Sequence, residues 1–129
     1  MVASMKFARG VFLVAGIYGL LVLVPQFFLE AKIGRDTPPP ITHLEYFYGF
    51  ICVAVAWQVL FLVLSRDPVR YRPMMIPAML EKIGFPIAVV VLYLQGRLAP
   101  MIFVPASADV ILLILFAVSY QKTATDLRG

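Results

Sequence analysis

Little in this chain of 129 residues is equipped for chemistry. It holds one cysteine, Cys52, one histidine, His43, and one tryptophan, Trp57. A lone thiol excludes an internal disulfide and any cysteine-based redox or metal pair. A lone imidazole leaves no second histidine at helical spacing for a metal, and no spare base for Ser-His-Asp logic. There is no glycine-rich phosphate loop, and nothing marks a glycosidase-like pair of carboxylates. Charge is scarce as well, at 14% of residues, against about 25% in soluble domains. The net charge of +4 comes from basic residues at segment ends. They form no stripe, so no nucleic-acid partner is expected.

What the chain has instead is apolar length. Hydrophobic residues make up 62%, against about 45–50% in soluble proteins. A soluble core of this size cannot hide that excess, so the lipid bilayer must solvate much of it. The clearest stretch runs from Thr42 to Leu64, with no charge between Tyr46 and Ser65. At about 1.5 Å per residue it crosses a hydrocarbon core of roughly 30 Å. Thr42 and Glu45 have capping-box spacing at its start, and Pro38 to Pro40 stop any helix entering from upstream.

Before it, Lys6 and Arg9 precede the run Val11–Leu29, a pattern like a signal peptide. The run has 19 residues and no A-x-A-like site after it, whereas a cleaved segment has about 7–15. It is read as a retained membrane helix. Gly16 and Gly19 give it a small-residue face for a partner helix, and Pro25 should kink its last third. Residues 30–41 form a polar, proline-rich connection. Asp67 before Pro68 predicts a short turn of helix. Pro86 should bend the third helix and Gly96 should stop it. A lone Cys52 in an apolar run reads as a small buried hydrophobe. The tail from Gln121 is expected to be mobile.

The expected fold is therefore all-α: a four-helix transmembrane bundle in one integral-membrane domain, with helices near 11–29, 43–64, 74–95 and 105–121. If the N-terminus is cytoplasmic, that side carries Lys6, Arg9, Arg66, Arg70, Arg72, Lys82, Lys122 and Arg128. The opposite side carries Lys32, Arg35 and Arg97. The excess of basic residues predicts both termini in the cytoplasm.

Two groups of polar residues are candidates for ligand binding. Near the outer surface stand Gln26, His43, Glu45 and Asp109, with Arg97 close by. Glu45 is also explained by the capping box, Asp109 by the helix dipole, and His43 by facing headgroups. A tetrapyrrole at His43 is the one cofactor the residues admit; none is expected, and no metal. Nearer the inner surface are Gln58, Glu81 and Lys82. Gln58 and Glu81 lie at similar depth on consecutive helices, so they should meet. An intramembrane acid is a functional candidate because leaving it unpaired costs several kcal/mol. The structural alternative pairs Glu81 with an arginine of residues 66–72 and lets Lys82 snorkel. His43, Phe47, Phe50, Ala54, Trp57 and Phe61 follow the 3, 4 spacing of one helix face. That face either packs or lines a lipophilic pocket at Trp57.

The segments H-L-E-Y-F-Y-G-F, A-W-Q-V-L-F, S-R-D-P-V-R-Y-R-P-M-M and L-E-K resemble a class of small, uncharacterised bacterial inner-membrane proteins with four helices. The resemblance covers Ile41 to about Gln95. In general shape the chain is also similar to DoxX-type proteins, some of which are subunits of redox complexes. No DoxX motif matches residue by residue, so no site residue is carried over. The resemblance implies a multi-pass protein of the bacterial inner membrane. Two functions are expected from these residues. One is a non-catalytic accessory subunit packing against other membrane proteins or against itself. The other is a binder, or isomerase-type converter, of a lipophilic small molecule through Glu81 and Gln58, or through His43, Glu45 and Asp109.

Overall fold

The computed structural model describes the backbone of residues 2–128, which is helical almost throughout and holds no strand among the described residues. The helices are α1 (Val2–Leu23), α2 (Glu30–Asp36), α3 (Leu44–Arg66), α4 (Met75–Leu94) and α5 (Phe103–Arg128). Short 3₁₀ turns lead out of α1 and into α4 and α5. Four segments are long and apolar enough to cross a membrane: Ala3–Phe28, Leu44–Arg66, Arg72–Leu94 and Pro100–Ala124. The architecture is that of a multi-pass membrane protein.

Local chemistry sets several boundaries. Pro25 cannot donate to the helix, and α1 gives way there to the 3₁₀ turn Val24–Phe28. Gln26 donates its side-chain Nε2 back to the Val22 carbonyl of α1 at 3.1 Å. The expected polar connection after it contains the short helix α2. On α2, Lys32 bonds Asp36 and holds that carboxyl below the usual carboxylate range. Asp67 accepts the Arg70 backbone N–H at 3.2 Å, which closes the expected turn. Gly96 ends α4 with φ +71°. Its N–H reaches Tyr93 O at 2.9 Å and the Arg97 N–H reaches Leu92 O at 2.9 Å. Those two bonds are a Schellman stop, which favours glycine at that position. Helix α4 passes through Pro86, so the carbonyl of Lys82 lacks its ordinary intrahelical partner.

Three boundaries differ from expectation. The N-cap of α3 is His43, not Thr42, and no side chain caps it; the Thr42–Glu45 box is not formed. Helix α1 begins nine residues before Val11, and α5 continues through the tail to Arg128. The added turns pack on each other. The Lys122 ammonium lies 4.4 Å from the Phe7 ring centroid, and Thr123 is fully buried.

Helix order in space is not the order along the chain. Helix α1 packs against α3 and α5, and α5 packs against α4. The consecutive spans α3 and α4 barely approach each other. Both chain ends and the 67–74 connection share one end of the bundle; α2 and the 95–102 turn share the other. Phe12, Phe61 and Phe116 meet in the centre, with Phe12–Phe116 centroids 4.3 Å apart and Phe61–Phe116 centroids 5.1 Å apart. In hydrocarbon such burial gains no transfer energy, so close packing and polar contacts must hold the bundle.

Gly16 and Gly19 supply the closest packing. A Cβ on Gly16 would lie 2.6 Å from Leu62 Cδ2, and one on Gly19 would lie 1.9 Å from Gln58 Oε1. The small-residue face of α1 is therefore taken by α3 of the same chain, not by another protein. Cys52 is exposed on α3 instead of buried; the inward face carries Ile51, Ala54, Gln58 and Phe61.

Candidate functional site

The most polar point within the spans is a cluster on α4 and α5. Lys82 sits at the middle of its span, about 15 Å from either end. Its side chain is only 6% exposed, so it does not snorkel. The ammonium lies 3.3 Å from Asp109 Oδ1 and 3.5 Å from Glu81 Oε2. It also lies 5.4 Å from the Phe61 ring centroid, beneath α3. The Asp109 side chain is 18% exposed and that of Glu81 is 22% exposed. Two carboxylates thus share one ammonium in a region where an unpaired charge is costly. Glu81 Oε2 is buried and accepts no hydrogen bond among the described residues.

This arrangement corrects the expected pairing of Glu81 with Gln58. Those residues are level in depth, but α3 and α4 are not neighbours, so equal depth does not bring them together. Gln58 turns toward α1 instead. Its Nε2 donates to Ala54 O at 2.9 Å, its Oε1 faces Gly19, and that oxygen has no hydrogen-bond partner. No arginine of the 66–72 connection reaches Glu81 either. Arg72 donates from Nε and Nη2 to Tyr120 O at 3.0 and 2.9 Å, and stacks 3.7 Å from the Tyr120 ring centroid. It fastens the connection to α5.

The proposed outer group does not assemble. His43 and Glu45 are mostly exposed, with His43 Nδ1 3.7 Å from Glu45 Oε1. Asp109 leaves them for Lys82, and Arg97 hydrogen-bonds Gln95 at 3.1 Å. No three potential metal ligands come together among the described residues. The aromatic stripe of α3 divides: Phe61 is in the core, Trp57 packs at its edge, and Phe50 is exposed.

Between α3 and the 71–74 connection that leads into α4 is a cleft of about 510 Å³, lined by Ala56, Val59, Leu60, Val63, Leu64, Tyr71 and Met74. That volume is within the range of about 300–1,000 Å³ typical of small-molecule sites. The Tyr71 hydroxyl is the one side-chain polar group on its wall. Trp57 precedes Leu60 and Leu64 at the spacing of one helical stripe. Lys82 and Asp109 tie α4 to α5. Of the candidates, Trp57 stands nearest the cleft in helical register, and Glu81 is engaged by Lys82. Gln58, His43, Glu45 and Asp109 are committed elsewhere. The cleft itself was not visible in the sequence, because its wall reads as ordinary lipid-facing helix.

Comparison with known protein families, curated proteins and solved structures finds no match.

Proposed function

We propose that this is a bacterial inner-membrane protein that binds a lipophilic or amphiphilic molecule in the cleft between α3 and the 71–74 connection. The observation that carries the reading is the 510 Å³ apolar cleft open along the bundle wall. The basic bias of residues 66–72 supports a cytoplasmic location for that bend and for both termini. The test is mass spectrometry of molecules retained on protein purified from native membranes. Val63→Trp fills the cleft and should strip the retained molecule, while His43→Ala should leave it in place. Equal retention in Val63→Trp and wild type removes the reading.

One observation favours the accessory-subunit reading. On α4, Gly84 and Ala88 are exposed one turn apart, and a Cβ on Gly84 would meet nothing within 4 Å. Small residues four apart let a second membrane helix approach closely. That reading predicts a partner or a second copy in mild detergent, lost in Gly84→Leu. A lone monomer that co-purifies with nothing removes it.

A further inference from the structure

We propose that the cleft between α3 and the 71–74 connection holds an acyl chain of an anionic phospholipid, with its phosphate against Arg66 and Arg70 at the cleft's mouth. This rests on the cleft being a binding site, and it adds the headgroup.

Helical register places the first arginine. Ala56, Val59 and Val63 line the cleft, and Arg66 continues that stripe at the next 3-residue step. Arg66 is exposed at the end of α3. The second arginine is placed by contact. The Arg70 guanidinium lies 5.6 Å from the ring centroid of Tyr71, which lines the cleft. Neither guanidinium has an ion-pair partner among the described residues. The third arginine of the connection, Arg72, is engaged by Tyr120. The only acid in the connection, Asp67, accepts the Arg70 backbone N–H. Two free guanidiniums against one carboxylate leave the mouth positively charged.

The chemistry on the two sides of the mouth differs. Inside is a wall of alkyl groups, suited to a hydrocarbon chain. Outside are two planar cations suited to bidentate bonds with phosphate oxygens. An amphiphile with a single chain in the cleft and a phosphate at the membrane surface satisfies both. The second chain of a diacyl lipid stays in the bilayer. A zwitterionic headgroup brings a cation beside the arginines, so an anionic headgroup is favoured. Each membrane-surface basic residue favours anionic lipid by roughly fivefold.

The test uses the full chain in mild detergent, exchanged with equal amounts of phosphatidylglycerol and phosphatidylcholine carrying identical chains. Adducts are counted by native mass spectrometry. The proposal predicts at least a tenfold excess of the phosphatidylglycerol adduct. It predicts near parity in Arg66→Gln/Arg70→Gln, and an unchanged excess in Arg35→Gln at the opposite end. Equal adducts in the wild type overturn the headgroup assignment and leave the cleft reading intact, provided Val63→Trp abolishes both. An excess that survives in the double arginine variant also overturns it. Displacement of the lipid by excess glycerol phosphate assigns the arginines to a free phosphate and overturns it too. Absence of both adducts, or adducts indifferent to Val63→Trp, removes the cleft reading and this inference together.

Discussion

Gly19→Ala is the sharpest test of how α1 and α3 are held together. The added Cβ would sit 1.9 Å from Gln58 Oε1, 2.3 Å from Cδ and 2.7 Å from Cγ. Three atoms of one side chain would be too close, so Gln58 must swing away as a unit. Doing so breaks its hydrogen bond to Ala54 O, now 2.9 Å. Overpacking costs about 1–3 kcal/mol, and a polar contact within a membrane bundle about 0.6 kcal/mol. The expected loss is therefore about 2–3 kcal/mol, or a drop of roughly 30- to 160-fold in the folding equilibrium. Gln58→Ala removes the obstacle, so the double variant should recover at least about 1 kcal/mol relative to additivity. Gly16→Ala is the control. Its contacts are Leu62 and the Gln58 backbone oxygen, so Gln58→Ala should not rescue it. The assay is reversible unfolding in mixed micelles, followed by fluorescence of Trp57, the only tryptophan. A Gly19→Ala cost under about 0.5 kcal/mol, or simple additivity in the double variant, would falsify this packing.

Other consequences are checked by the same unfolding assay. Lys82→Met leaves Glu81 and Asp109 facing each other without their cation, and should cost about 3–5 kcal/mol. Adding Asp109→Asn to it should recover part of that loss, and no recovery would refute the cluster. Arg72→Ala breaks both bonds to Tyr120 O and the stacking on its ring. It should lower stability by about 1–3 kcal/mol, with Arg72→Lys recovering only part. Thr42→Ala should change stability by less than about 0.5 kcal/mol, because His43 holds the N-cap position; a cost near 1 kcal/mol would restore the capping box.

The four spans were legible because their signal is additive: apolar length, proline and glycine at the ends, and charges between them. Gly96 was legible for a local reason, since a Schellman stop needs a residue at ease with positive φ. Lateral adjacency was not legible. Glu81 and Gln58 have matching depth, yet depth says nothing about which helix stands beside which. Helix α4 stands beside α5, where Lys82 meets Asp109, 27 residues away in sequence. Asp109 had a sufficient local explanation as a helix-start anion, and that concealed its long-range partner. Gly16 and Gly19 announced a close helix contact correctly. Periodicity could not say whether α3 or another molecule would fill it. Cys52 was misplaced because the inward face of α3 is chosen by the glycines of α1, which its own sequence does not contain.

The proposed occupancy of the cleft is tested most directly by quenching Trp57 with lipids brominated at the middle of the acyl chain. Trp57 shares the stripe of Leu60 and Leu64 on the cleft wall, so a chain in the cleft brings bromine against it. Strong quenching is predicted for the wild type in bilayers, falling sharply in Val63→Phe, where the cleft is filled. Equal quenching in both proteins, or none in the wild type, would contradict the account.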